Sequence, residues 1–395
     1  MFETWFRPAK ARALDGVQPP AVRPPETKGV SAPLIALLAG RPSWSRRDFA
    51  SLAREGVMAN AIAYRCVRVI AESAASVPWL LYEGDIEVGT HPLLTLLAAP
   101  NAAESGTALF ERWYAFLECA GNAYLQGVTA SGVVRELHVL RPDRVRVVPD
   151  ARGWAAAYDY TVNGQSARLT DVLHGKLFHP LDDCYGLSPI EAAASALDIH
   201  NAGAGWTKAL LDNAARPSGA LVYKGPDGAP GLSEEQFARL KSELAESYSG
   251  AANAGRPMVL EGGLDWRAMS FAPQDMDFSE MRNAAAREIA LAFGLPPMLL
   301  GLPGDNTYAN YREANLAFWR QTVLPLVART AKDLTRWLAP RFGEGLRLGY
   351  DADAVDALAV ERESVWDRLN AATFLSVNEK RAAAGYSPRE GEDGL

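Results

Sequence analysis

The sequence predicts an α+β fold whose helical and strand-rich blocks are segregated along the chain. Three observations predict it. Apolar residues recur at helical spacing over residues 57–76 and through two longer segments, 188–214 and 277–293. Residues 122–173 instead alternate and are punctuated by hairpin turns. A small strand–helix–strand–strand unit begins at Pro217 and Gly219 and separates the two long helical segments.

The elements follow in order. Residues 1–47 hold seven prolines, among them Pro19-Pro20 and Pro24-Pro25, and read as an extended arm with Trp5 and Phe6 as an anchor near its start. From Arg46 the pattern turns helical, with Val57, Ile62, Cys66, Val69 and Ile70 on one face as far as Ser76. Pro78 stops this helix and Trp79-Leu80-Leu81-Tyr82 is the strand after it. His91-Pro92-Leu93-Leu94 opens a short helix that ends at Pro100-Asn101. Ser105 caps a helix carrying Phe110, Trp113, Phe116 and Leu117, and Gly121 ends it.

Strands 122–128 and 133–140 flank the turn Thr129-Ala130-Ser131-Gly132. Val145 to Val148 alternates like an edge strand, and strands 158–162 and 167–173 flank Asn163-Gly164, the strongest hairpin signal in the chain. Ser188-Pro189-Ile190-Glu191 then combines a capping box with proline at the first helical position. One continuous helix to about Ala214 is expected, a rod of about 40 Å. Ala192, Ala193, Ala194, Ala202, Gly203 and Gly205 crowd it, so a second rod can approach closely.

In the insert, Ala220 to Tyr223, Pro257 to Leu260 and Leu264 to Arg267 read as strands, and Ser233 caps a helix. Asp277 starts the next helix, Gly294 caps it and Pro296-Pro297 prevents continuation. Gly301 to Asn306 is a polar loop. The helix opened by Asn310 and Glu313 carries Leu316, Trp319, Val323, Leu334 and Leu338. Pro325 lies inside it and has no N–H for the carbonyl of Gln321, which predicts a kink. Leu346 to Tyr350 is a last strand, followed by acidic helical residues to Ala384.

Composition narrows the function. Three cysteines among 395 residues exclude a disulfide framework, and none are at metal-ligand spacing. The longest early apolar stretch, Ala32 to Ala39, is far short of the roughly 18 residues of a membrane span, and a proline-rich, charged segment ahead of it argues against a signal peptide. A net charge of −7 argues against gripping nucleic acid over a broad basic face. The charge is uneven: residues 1–47 carry eight Lys/Arg against three Asp/Glu, while residues 351–395 carry five against ten, so the two ends face different surroundings.

No phosphate-cradling loop, nucleophile elbow or His-Glu-x-x-His is found. His174, His179, Asp182, Asp183 and Cys184 form the one cluster of ligand types. His174 and His179 are at odd spacing at a strand end and face opposite sides of an extended chain. Cys119 sits in an apolar helical stripe, where a buried, inert thiol is expected. No catalytic residue, cofactor site or metal site is expected.

In this setting an ordered set of short pieces carries a resemblance. They are His91-Pro92-Leu93 before Pro100-Asn101, Gly121-Asn122-Ala123-Tyr124, Glu136-Leu137 with Leu140-x-Pro142, Val172-Leu173-His174, and Tyr185-Gly186-Leu187-Ser188-Pro189-Ile190. They continue with Asn213-Ala214, Pro217-x-Gly219, Phe293-Gly294-Leu295-Pro296-Pro297, Asn310-Tyr311-Arg312-Glu313, Thr322-x-x-Pro325 and Asn378-Glu379-x-Arg381. The chain resembles the portal proteins of tailed double-stranded DNA phages and gene transfer agents over about residues 57–385.

The resemblance implies the portal fold: an outer wing, a helical stem, a small α/β clip, a tunnel loop and a helical crown. On this chain the arm is 1–47, the wing 48–186, the first stem helix 187–214 and the clip 215–272. The second stem helix is 273–299, the tunnel loop 300–309, the kinked helix and return strand of the wing 310–351, and the acidic crown 352–395. It implies a homo-oligomeric ring, typically of twelve subunits, at one vertex of a virion or gene-transfer-agent particle assembled in a bacterial cytoplasm. DNA would enter and leave through it without sequence preference. The implied partners are the major capsid protein, the terminase large subunit and the head–tail adaptor; no membrane is involved. Gly304, Asp305, Asn306 and Thr307 are expected to face DNA, and Lys224, Gly225, Asp227 and Gly228 to meet terminase or adaptor. Two other readings stand beside it: a metal-assisted hydrolase using His174, His179 and Asp182, and a different self-assembling structural protein.

Overall fold

A computed structural model describes residues 45–212, 219–223, 233–248, 264–268, 278–303, 308–387 and 389. Asp48 caps a helical turn, Phe49–Ser51, that runs into a π-helical segment, Leu52–Met58. The helix expected to run unbroken to Ser76 is interrupted at Asn60. Its backbone is extended, and its Oδ1 accepts the amides of Ile62 and Ala63 at 3.0 and 3.1 Å, so helix α1 (Ala61–Ala75) starts afresh. Ala63, Cys66, Val67, Ile70, Ala71 and Ala74 line the buried face of α1. That face packs on α3 (Gly106–Ala120), which buries Leu109, Phe110, Trp113, Tyr114 and Leu117. Each fully buried leucine here stabilises the fold by about 1.5–3 kcal/mol. Between them lies α2 (Pro92–Ala98), capped by His91, whose Nδ1 accepts the Leu93 amide.

Strand β1 (Trp79–Glu83) pairs antiparallel with β2 (Ile86–Glu87) and, on its other edge, with the distant Leu346–Tyr350. The second sheet places β3 (Asn122–Ala130) between β4 (Val133–Leu140) and β8 (Val172–Lys176). The third is a meander of β5 (Val145–Pro149), β6 (Ala155–Val162) and β7 (Gln165–Leu169). Both hairpins close on two residues with left-handed backbone, Ser131-Gly132 and Asn163-Gly164, the turn that matches strand twist. The strand expected over 167–173 is divided. Its first half ends at Leu169 beside β6, while Val172 onward joins β3 in the other sheet. Asp171 sits at the crossing and is held from outside by Trp337 Nε1 at 2.9 Å and by both terminal nitrogens of Arg341 at 2.6 and 2.7 Å. Tyr124, Leu140, Val145, Val147, Tyr158 and Val172 form a small core between these two sheets.

The long helix expected from Ser188 is two helices, α4 (Pro189–Ala192) and α5 (Ala194–Asp212). The Ser188 Oγ accepts the Glu191 amide as expected for a cap. Ala193 then takes φ −84°, ψ 0°, with its N–H directed to the Glu191 and Pro189 carbonyls. Ile190 is buried at this joint, where a Cβ on Gly56 would lie 3.1 Å from its Cγ2.

In the insert, β9 (Gly219–Tyr223) pairs antiparallel with β10 (Leu264–Ala268), and α6 (Glu234–Tyr248) lies between them in sequence. Ser233 and Gln236 cap α6 reciprocally, side chain to amide in each direction. Residues 1–44 of the arm, the strand expected over Pro257 to Leu260 and the helix start at Asp277 lie outside the described residues.

Helix α7 (Phe278–Ala292) ends at Gly294 in the left-handed region, and a 3-10 turn, Pro297–Leu300, follows. Helix α8 (Tyr308–Phe318) passes through a π-helical segment, Trp319–Val323, into α9 (Leu324–Leu338). Pro325 is the second residue of α9, directly after the widened turn. A π turn shifts carbonyls out of the α pattern, and Gln321, which the proline cannot serve, lies inside it. Val327, Thr330, Ala331, Leu334 and Leu338 form the buried face of α9, on β11 (Leu346–Tyr350) and β8. Trp113 Nε1 donates to Thr330 Oγ1 at 3.3 Å and ties this face to α3. Helices α10 (Ala359–Ala371) and α11 (Val377–Ala383) complete the chain, α11 with a full capping box of Ser376 and Glu379.

Candidate functional site

The two rods that the sequence singles out, α5 and α7, pack directly on one another. The small residues explain the closeness. A Cβ on Gly203 would lie 3.1 Å from both Arg282 Cγ and Met281 Cε, so even alanine there makes the α7 side chains give way. Ala285, Ala286, Ile289 and Ala290 form the buried side of α7. The base of α5 is fixed by a polar node. Asn60, only 2% exposed, donates through Nδ2 to Asn201 Oδ1 at 2.9 Å and faces His200 Nδ1 at 3.1 Å. Asn201 returns a bond to the Glu55 carbonyl. Burial first, and the Arg282 charge second, hold the His200 imidazole below its ordinary range. Exposed on α5 are Ser195, Ile199, Ala202, Gly205, Trp206, Lys208 and Ala209, a set with one base and no acid.

Gly304, Asp305, Asn306 and Thr307, expected to face DNA, lie outside the described residues, as do Lys224, Gly225, Asp227 and Gly228 of the expected docking loop. The approach to the first of these loops is fixed. Arg287 of α7 donates to the Pro303 carbonyl, and Thr322 donates to the Gly294 carbonyl at 2.6 Å. The insert's paired strands, β9 and β10, emerge between the two rods in sequence.

The histidine cluster does not assemble as a ligand set. His174 is wedged among aromatic rings, stacked on Tyr124 at 4.4 Å and edge-on to Tyr158 at 5.6 Å. Its Nε2 meets Asn122 Oδ1 at 3.0 Å. Burial, with a smaller push from Lys176, lowers its pKa to about 3. His179 Nδ1 accepts the Leu181 amide, and Asp182 Oδ1 accepts the amides of Cys184 and Tyr185. These side chains shape a loop. Among the described residues no three His, Cys, Asp or Glu side chains converge as a metal-binding group. Cys66 and Cys119 are pushed up to about 12, by burial first and the nearby Glu118 second, which suits inert thiols.

Around Asn122 three of the short sequence pieces meet. Gly121 has φ +67°, and a Cβ on it would lie 2.4 Å from the Gly186 carbonyl oxygen. Asn122 donates to the carbonyls of Ala120 and Gly186 and accepts the Gly186 amide at 2.8 Å. The pieces around 121–124, 172–174 and 185–190 thus converge on one buried joint, from which the chain enters α4.

Residues 61–385 match the family model for the phage portal protein. The chain belongs to the phage portal protein family. An uncharacterised protein of Rickettsia bellii (strain RML369-C) is 41% identical over 85% of this chain and 89% of its own. Among solved structures, a chain from the neck of an empty GTA particle computed with C6 symmetry is 52% identical, covers 90% of this chain and 98% of its own, and superposes with a TM-score of 0.69. A chain from the neck of a native GTA particle computed with C12 symmetry, at the same identity and coverage, gives 0.67.

Portal proteins are structural and not enzymatic, which removes the hydrolase reading. In this chain His174 packs into the buried joint at Asn122. Sequence reasoning missed the structural parts of Asn60, Asn122 and Asp171. Asn60 was within reach, because a cap-type residue directly precedes the helical period. Asn122 stands in a piece quoted above, but nothing local showed that Gly186 would be its partner. No helix among the described residues is long and apolar enough to cross a membrane.

Proposed function

We propose that this chain assembles into a ring of twelve copies at one vertex of a phage or gene-transfer-agent particle, and that double-stranded DNA passes through its centre. The observation that carries this reading is the 52% identity, over 90% of the chain, to the chain from a GTA particle neck computed with C12 symmetry. In this reading residues 187–214 and 273–299 are the stem, 48–186 and 310–351 the wing, 215–272 the clip, 300–309 the tunnel loop and 352–395 the crown. The close packing of α5 on α7, and the mostly small, uncharged residues exposed on α5, suit rods standing side by side around an axis.

The charge supports a conduit rather than a clamp. Non-specific DNA affinity grows with each phosphate neutralised by Lys or Arg. The chain carries a net −7, and the loop from Gly301 to Ala309 has one Asp and no Lys or Arg. Asp305, Asn306 and Thr307 would present polar groups to DNA without holding it. The clip, with Lys224, Gly225, Asp227 and Gly228 at its turn, would be the platform for the terminase large subunit during filling and for the head–tail adaptor afterwards. The major capsid protein would surround the wing.

Native mass measurement and class-averaged electron images of the purified chain test the reading. A closed particle near half a megadalton with a central hole is expected. A monomer, or an open polymer, overturns it.

A further inference from the structure

The loop after β8 is built to hold two large apolar side chains in water. Leu181 is 92% and Phe178 79% exposed. The backbone that carries them is nonetheless tightly pinned. The Leu181 amide bonds to His179 Nδ1 at 3.0 Å, and Asp182 Oδ1 accepts the amides of Cys184 and Tyr185 at 2.7 and 2.9 Å. Lys176 Nζ reaches the Asp183 carbonyl, and the Tyr185 hydroxyl accepts the Val147 amide. A loop that needs only to connect β8 to α4 has no use for this. Rigid apolar side chains displayed at low entropic cost are what a binding anchor requires.

The same chain carries an open hollow with apolar walls. It has a volume of about 510 Å³ and is walled by Pro92, Leu96, Val133 and Phe342, with His91 and Arg135 at its margin. The knob bears Asp182 and Asp183 beside its apolar pair, and Arg135 lines the hollow, so the two carry opposite charge. The two lie at opposite corners of one sheet. Lys176, at the root of the knob, pairs with Asn122 at the start of β3, whereas Val134 pairs with Thr129 near its end, on the far strand. By strand geometry that is about 24 Å along the strands and about 10 Å across them. A chain cannot fill its own hollow across that distance. Two different, complementary patches at separate places on one subunit are the requirement for a head-to-tail contact, the kind that generates rings.

We infer that Phe178 and Leu181 of one copy seat in the Pro92–Leu96–Val133–Phe342 hollow of the next, with Asp183 facing Arg135. This rests on the ring reading above and adds to it the residues by which one wing would grasp another. Two members of the His, Asp and Cys cluster, His179 and Asp182, then have a purpose: their side chains hold the backbone of the knob.

The test uses the full chain with Cys184→Ser as background, and first asks whether that background protein forms rings. Absence of rings overturns the ring reading itself, and this inference with it. With rings in hand, Leu181→Cys and Val133→Cys are introduced together and separately, then mildly oxidised. The double variant is expected to give a disulfide ladder beyond the dimer on denaturing gels, and each single variant none. Intact rings without a ladder, or dimers from Leu181→Cys alone, overturn the inference and leave the ring reading standing. As a second readout, Asp183→Arg and Arg135→Asp should each raise the concentration needed for assembly about tenfold, and the double exchange should restore it. No rescue by the double exchange also overturns the inference.

Discussion

His174 Nε2 and Asn122 Oδ1 stand 3.0 Å apart inside a cage of Tyr124 and Tyr158 rings. The oxygen can only accept, so the imidazole nitrogen facing it carries a proton, and the ring is neutral because burial disfavours a second one. Asn122 spends its remaining capacity on the backbone of Ala120 and Gly186. One side chain therefore welds the end of α3, the start of β3, β8 and the entry to α4.

A pH dependence follows for this joint. The imidazole has a folded pKa of about 3 against an ordinary value of 6.5, so the unfolded chain binds the proton first. Its contribution is complete above pH 6.5 and is lost as pH falls toward 3, by up to about tenfold in the unfolding constant per pH unit. Chemical denaturation across that range should show the slope, and His174→Gln should flatten it.

Glu118 works in the opposite direction. It is 3% exposed in the middle of α3, and burial raises its carboxyl from 4.5 to about 8. The unfolded chain releases this proton first, so stability falls as pH rises from 4.5 to 8, again by up to about tenfold per unit. Glu118→Gln should remove that loss and leave a chain more stable than the parent at pH 8. Between pH 4.5 and 6.5 the two slopes oppose each other, and the parent should show a plateau there in denaturant titrations.

Gly175 in β8 has ordinary strand backbone but no room. A Cβ on it would lie 2.5 Å from Trp113 Cζ2, the ring that reaches Thr330. Gly175→Ala should cost about 1–3 kcal/mol in thermal unfolding. Gly205, on the open face of α5, meets nothing within 4 Å. Gly205→Ala should instead stabilise the isolated subunit by about 1 kcal/mol.

Asp305→Lys and Asn306→Lys made together should lower the DNA content of assembled particles, because added cations in a passage bind phosphate where free movement is needed. Packaged DNA per particle is the measurement. Unchanged content would remove Gly304 to Thr307 from the passage.

Much of this architecture was legible in the sequence because its signals are local. Asn163-Gly164 and Ser131-Gly132 name their turns without help from the rest of the chain, and Ser105, Ser188 and Ser233 cap the helices they precede. The errors fall where tertiary contacts decide. Val172 resembles a continuation of the strand before it, and only pairing with Gln126 of β3 assigns it to another sheet. Ala193 has excellent helix propensity, yet the helix breaks there beside the buried Ile190. The knob residues Phe178 and Leu181 read as ordinary loop apolars, since exposure is invisible to periodicity.

Gly121 and Gly186 touch main chain to main chain: a methyl on either would come within 2.4 Å of the other's carbonyl oxygen. Neither has a side chain left to surrender, so no second change can compensate for a first. The crossing is a place where drift is blocked in both partners at once, and any descendant keeping this joint must keep both residues bare.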